Sequence, residues 1–222
     1  ASRLEDLGNA PSVLVWEAPG EGPCSKNIWA PELHHAGGRW IIYFAADDGR
    51  NEHHRMFALE GQADTPFGPY RLAGKIADPS DKWAIDGTLL KFAGRLYFVW
   101  SGWEGDENGQ QNLYIAAMSD PLRISSDRSL LSSPGHGWER AGGPPWVNEG
   151  PQALQRHGRT FLVFSAAASW RDDYCLGLLE LAGTDPLDPA SWSKLETPVF
   201  ASSAEVVAPG HASFVRMAEG VT

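Results

Sequence analysis

Asp86 and Glu149 are lone carboxylates, each at the head of an otherwise apolar segment and each followed by glycine. The first stands in IDGTLLKFAGRLYFVW and the second in NEGPQALQRHGRTFLVF. Taken singly, each reads as a strand-start carboxylate capping a turn. Their register with a third residue points further. Asp86 lies 8 residues before Gly94, Glu149 lies 9 before Gly158, and His211 lies 9 before Gly220. Three titratable side chains therefore occupy nearly the same slot in successive segments. Two carboxylates around one hollow, in a chain with 10 Trp, suit cleavage of a glycosidic bond. One acid must keep its proton for the leaving oxygen, and another must be ionised to activate water or attack the sugar. Burial and neighbouring charge can separate their pKa values.

The elements that would position these residues repeat. Gly38-Arg39, Gly94-Arg95 and Gly158-Arg159 are hairpin-like turns spaced 56 and 64 residues apart, and PGHASFVRMAEG is a weaker fourth copy. Self-similarity at a steady period marks a repeat architecture. A unit of this size holds four short strands and their turns, which is the size of a propeller blade. Arg39–Ala46, Arg95–Gly102 and Arg159–Ala166 are aromatic and β-branched runs that predict strands, as do QNLYIAAMS and YCLGLLEL. DPLDPASW predicts turns or single helical turns. A β-sandwich also uses many short strands, but it does not require hairpins that recur with the same turn. The expected fold is therefore all-β, a propeller in one domain over residues 1–222. The innermost strands would bring Asp86, Glu149 and His211 together at one face of a central channel. Gly87 and Gly150 suit close backbone packing there.

The net charge of −10 argues against a nucleic-acid backbone as partner. No apolar run approaches the roughly 18 residues of a membrane helix. Cys24 and Cys175 are far apart and do not indicate a redox compartment. Trp29, Trp83, Trp103, Trp146 and Trp170 lie near strand ends, where pocket loops would be, although most Trp are core residues.

KNIWAPELH, WAIDGT, NEGPQ and GHASF, in this order between Ser25 and Phe214, resemble successive blades of glycoside hydrolase family 43. The resemblance implies a five-bladed propeller, of which this chain covers about three complete blades and parts of the first and last. It implies hydrolysis of arabinose- or xylose-containing oligo- or polysaccharides with inversion. Release of L-arabinofuranose is the first expectation, with β-xylosidase or endo-arabinanase action on the same scaffold as the alternative. Glu149 would be the general acid, and Asp86 the residue that orients it and modulates its pKa. Trp29, Trp103, Ile85 and His211 would contact sugar. No cofactor is expected to be required, and a structural calcium would sit near His211 as its metal ligand. The placement is expected to be soluble, either secreted or cytoplasmic.

The family's general base belongs to the first blade, in a motif resembling ADP. The opening ASRLEDLGNAPSVLVW reads as the last strand of that blade, and Ala77–Ser80 has the letters in the wrong place. The chain is thus expected to be a fragment, whose open sheet edges favour self-association, or a sugar-binding remnant. Asp47, Asp48 and Glu104 are imaginable substitute bases but read better as solvated turn acids. His34 and His35 read as structural hydrogen-bonding groups, and His53 and His54 lack an acid at metal spacing. Gln110, Gln111 and Asn112 read as satisfying turn backbone, with sugar contact as the lesser option. Ser101 and Ser165 lack a His/Asp relay.

Overall fold

The computed structural model describes residues 4–217 and 220–221. The strands form three antiparallel meanders. The first comprises β1 (Lys26–Ala36), β2 (Arg39–Asp47), β3 (Arg55–Gly61) and β4 (Tyr70–Ile76), paired in that order. The second is β5 (Ala84–Phe92), β6 (Arg95–Gly102) and β7 (Gln110–Asp120), with β8 (Arg123–Ile124) and β9 (Ser129–Ser132) both pairing with β7. The third is β10 (Trp146–Arg156), β11 (Arg159–Ala166), β12 (Cys175–Leu181) and β13 (Trp192–Lys194). A short hairpin of β14 (Arg216–Met217) and β15 (Gly220–Val221) follows.

The three recurring turns are two-residue hairpin loops. Gly37-Gly38, Ala93-Gly94 and His157-Gly158 all have positive φ, between 47° and 76°. Positive φ at both central residues is the type I′ turn, whose twist matches that of the flanking strands. Glycine in the second place of each loop carries this conformation without a Cβ clash. Gly220 departs from the expected alignment. It pairs with Met217 as the first residue of β15, so it corresponds to Arg39, Arg95 and Arg159 rather than to the turn glycines. Residues 218–219 lie outside the described residues.

The second strand of each meander is buried on both faces, and alternation along it feeds two cores. In β6, Phe98 and Trp100 pack with Tyr43, Met56 and Ile41 of the first meander. Tyr97 and Val99 turn the other way and pack with Leu162, Phe164 and Leu179 of the third. The three sheets are thereby stacked face to face. β10 also joins β7 in parallel through Trp146↔Gln110 and Val147↔Gln111.

The opening segment is not the strand expected from its apolar letters. Leu4–Asn9 is a 3-10 helix, and no strand follows before Lys26. Pro11, Pro19 and Pro23 each remove a backbone donor. The segment instead lies on the outer face of the first meander. Val15 and Trp16 pack on the cluster containing Phe44 and Phe57, and the Val15 carbonyl accepts the Tyr70 N–H at 3.3 Å. Among the described residues no helix is long and apolar enough to cross a membrane.

Candidate active site

Each first strand is broken by a bulge at the same place. The register of β1 slips between Trp29 and Glu32, that of β5 between Ile85 and Thr88, and that of β10 between Glu149 and Gln152. Ala30, Asp86 and Gly150 sit in these bulges with φ of 44°, 57° and 53°, and His211 has φ of 49°. All four lie nine positions before the first residue of the second strand of their hairpin, namely Arg39, Arg95, Arg159 and Gly220. Left-handed backbone is unfavourable for residues with a Cβ, and bulges next to sites re-aim side chains.

This geometry refines the sequence register. Asp86 and His211 share the left-handed slot. Glu149 stands one place earlier, in the slot of Trp29 and Ile85.

The bulges open on a cavity of about 440 Å³ whose lining includes Trp29, Ile85, Asp86, Glu149 and His211, with Trp83 and Gln111. Asn108, Pro145, Ser169 and Trp170 also line it, and Trp170 is largely exposed. Asp86 is 3% exposed, and its Oδ2 accepts the Gly150 N–H at 3.0 Å. Glu149 Oε1 accepts the Tyr174 hydroxyl at 2.7 Å. The His211 N–H donates to Ser165 Oγ at 2.6 Å. Close packing accounts for two glycines here. A Cβ on Gly87 would come within 2.2 Å of Phe98 Cζ, and one on Gly210 within 1.9 Å of Tyr174 Cε1.

Both carboxyls are raised to about 7, burial being the largest cause on each; on Glu149 the Asp86 charge adds to burial and Tyr174 and His211 oppose it. On Asp86, the Gly150 N–H opposes burial while the Glu32 charge adds to it. Two such neighbours titrate as a pair.

A buried polar frame fixes the residue before Glu149. Asn148 Oδ1 accepts Ser132 Oγ at 2.7 Å, its Nδ2 donates to Glu139 Oε1 at 3.0 Å, and its carbonyl accepts Ser101 Oγ at 2.9 Å. Glu139 is fully buried and accepts Lys194 Nζ at 2.8 Å and the N–H groups of Gly135 and His136 at 2.7 Å. Burial works against its charge, but these donors outweigh burial and hold the carboxyl below its ordinary value. Ser101 and Ser165 are thus scaffold groups.

The aromatic wall is also layered. Trp29 stacks on His54 with centroids 4.0 Å apart, and Trp83 stacks on Trp103 at 4.6 Å. His54 is held by Asp47 Oδ2 at 3.0 Å from Nδ1 and by the Asn27 carbonyl at 3.2 Å from Nε2.

Trp103 does not fit its expected role as a sugar contact. It is 3% exposed and lies behind Trp83, which takes the place on the lining. Asp47 is a buried acceptor for Asn27 and His54 rather than a solvated turn acid. Asp48 pairs with His53 on the surface at 2.9 Å, and Glu104 borders a separate hollow with Asp106 and Glu107. His34 pairs with Glu32 at 2.9 Å. Gln110, Gln111 and Asn112 belong to β7 rather than a turn, and Gln111 faces the cavity.

The calcium expected near His211 also lacks a fit. Calcium takes six to eight oxygen ligands, and His211 offers nitrogen. Among the described residues, no group of three or more His, Cys, Asp or Glu is placed to hold a metal ion.

Tyr174 and Trp83 are the main members of this site whose roles sequence reasoning missed. Tyr174 heads the strand-like YCLGLLEL, but nothing in that spacing aims its hydroxyl at Glu149. Both Trp83 and Trp103 lie near strand ends, and spacing does not tell which faces the hollow.

The chain is similar to several known proteins. The chain is 36% identical to an extracellular exo-alpha-(1->5)-L-arabinofuranosidase of Streptomyces avermitilis, over 99% of this chain and 46% of that protein. It is 36% identical to alpha-L-arabinofuranosidase 43 of Humicola insolens, over 100% of this chain and 47% of that protein. It thus spans about half the length of these curated relatives. The crystal structure of an alpha-L-arabinofuranosidase from Lactobacillus brevis superposes with a TM-score of 0.90 at 38% identity, covering 99% of this chain and 71% of that one. A family model described as glycosyl hydrolases family 43 matches residues 1–221, a span that contains Trp29, Asp86, Glu149 and His211, and the chain belongs to that family.

Proposed function

We propose that this chain carries the acid half of a glycosidase site that releases L-arabinofuranose from arabinan or arabinoxylan. The observation that carries this reading is the pair of buried Asp86 and half-buried Glu149, tied through the Gly150 N–H at the wall of a 440 Å³ cavity. Glu149 gives its proton to the glycosidic oxygen as the bond to the sugar breaks. Asp86, once ionised, helps keep Glu149 protonated until then. Trp29, Trp83 and Ile85 present the apolar surface on which a furanose ring rests, and Gln111 offers polar contacts to its hydroxyls. The relatives named as arabinofuranosidases favour arabinose over xylose, and the Streptomyces protein's name favours an extracellular setting.

Inversion also needs a carboxylate on the opposite face of the sugar, about 6.5–9.5 Å from the acid, to activate water. Among the described residues, Asp86 and Glu149 are the carboxylates lining the cavity. In this reading the base is a group other than these two, and the three meanders are three blades of a five-bladed propeller.

Parallel assays on nitrophenyl α-L-arabinofuranoside and nitrophenyl β-D-xyloside test the reading. Turnover of the first, abolished by Glu149→Gln, supports it. Turnover of the xyloside alone would replace arabinose with xylose. Sugar binding with no release from either substrate would reduce this chain to a binding module.

A further inference from the structure

A carboxylic acid has two oxygens, and a general acid delivers its proton from one of them. The Tyr174 hydroxyl lies 2.7 Å from Glu149 Oε1, and among the described residues Oε2 has no hydrogen-bond partner. Burial, with the nearby Glu149 charge, pushes the Tyr174 phenol well above its ordinary value. The phenol therefore keeps its proton at any pH where the site works, and the bond runs one way, from Tyr174 to Oε1.

The ring is held closely by its surroundings. Gly210 packs so tightly that a Cβ there would lie 1.9 Å from Tyr174 Cε1. The next residue, His211, is anchored through its N–H on Ser165 Oγ at 2.6 Å.

We propose that Tyr174 is a positioning residue for the reaction: by occupying Oε1 it confines the transferable proton of Glu149 to Oε2 and fixes the carboxyl plane toward the leaving oxygen. This rests on the reading of Glu149 as the general acid. No atom of Tyr174 needs to touch substrate. The proton passes from Oε2 to the glycosidic oxygen as the C–O bond breaks, and the negative charge left on the carboxylate is stabilised at Oε1 by the phenol.

Leaving-group dependence tests the proposal, because a misplaced acid harms only substrates that need protonation. In the enzyme as naturally produced, Tyr174→Phe is expected to lower kcat/KM on an arabino-oligosaccharide by about 10- to 100-fold. On 2,4-dinitrophenyl α-L-arabinofuranoside, whose leaving group departs unprotonated, the loss should stay under about 3-fold. Inhibition by free L-arabinose should be unchanged. The alkaline limb of the pH profile should move to higher pH, because a donor to the charged carboxylate is lost while Asp86 and His211 still face Glu149. Gly210→Ala, which displaces the ring but keeps the hydroxyl, should show the same selectivity. Equal losses on both substrates with an unmoved limb, or no loss on either, would overturn the proposal. Failure of the underlying reading looks different: Glu149→Gln would then still cleave the oligosaccharide.

Discussion

The amide of Gly150 lies 3.0 Å from Oδ2 of Asp86, so the peptide that follows Glu149 is anchored on the neighbouring carboxylate. The link crosses from β10 to β5. The two acids are therefore held in mutual register by backbone.

The first consequence concerns catalysis. Glu149→Gln should lower kcat/KM on arabino-oligosaccharides by about 10²- to 10⁴-fold while leaving the affinity for L-arabinose nearly unchanged. In the parent enzyme the alkaline limb should fall near pH 7, where the raised Glu149 carboxyl loses its proton. Kinetics across pH 5 to 9 check both.

The tether itself can be strained. Gly150 has φ of 53°, and a Cβ there would sit 3.3 Å from His211 Nδ1. Gly150→Ala should cost about 1–2 kcal/mol for the left-handed backbone and displace His211 from the cavity wall. Denaturant unfolding, together with the chemical shifts of the His211 ring, measures the two effects.

Stability should depend on pH through the same pair. Both carboxyls are raised in the folded state, so the native protein holds protons that the unfolded chain has released between the ordinary carboxylate range and about pH 7. The stability they contribute is complete below the unfolded pKa and is lost as pH rises through the folded value. Glu149→Gln removes one such group. It should be more stable than the parent at pH 8, on the order of 1–3 kcal/mol, with the difference shrinking towards pH 4. Unfolding at the two pH values reads the trend directly.

Much of this site is legible in the letters, and the reasons for the rest are physical. The type I′ turns announce themselves through Gly-Arg pairs, and counting back from two of them, and from Gly220, finds Asp86, Glu149 and His211. That count groups Glu149 with His211 and sets Asp86 one place apart, whereas the backbone groups Asp86 with His211 and sets Glu149 one place earlier. Resolving that needs the bulge, and a left-handed Ala30 or Asp86 carries no glycine to mark it. Which of two stacked rings borders the cavity is a tertiary matter, so spacing did not tell that Trp83 lies on its lining with Trp103 behind it. Tyr174 reaches Glu149 because Gly210, distant in sequence, lets its ring lie close. The opening SVLVW has strand-like composition, yet its flanking prolines and the outer face available to Trp16 leave it irregular.

The frame behind Asn148 makes a separate prediction. Glu139→Gln would leave Lys194 half-paired beside a fully buried position. The cost should be on the order of 3 kcal/mol, and the start of β10 should loosen. Amide exchange at Asn148 and Glu149, measured in this variant against the parent, separates this from a general loss of stability: those two amides should lose more protection than the β2 core.

The most direct test of the account is a ¹³C-carboxyl NMR titration of Glu149 in the parent and in Asp86→Asn. The account predicts a midpoint near 7 in the parent and a clear fall when the Asp86 charge is removed. A Glu149 carboxyl that titrates in the ordinary carboxylate range, or that ignores the loss of Asp86, would contradict it.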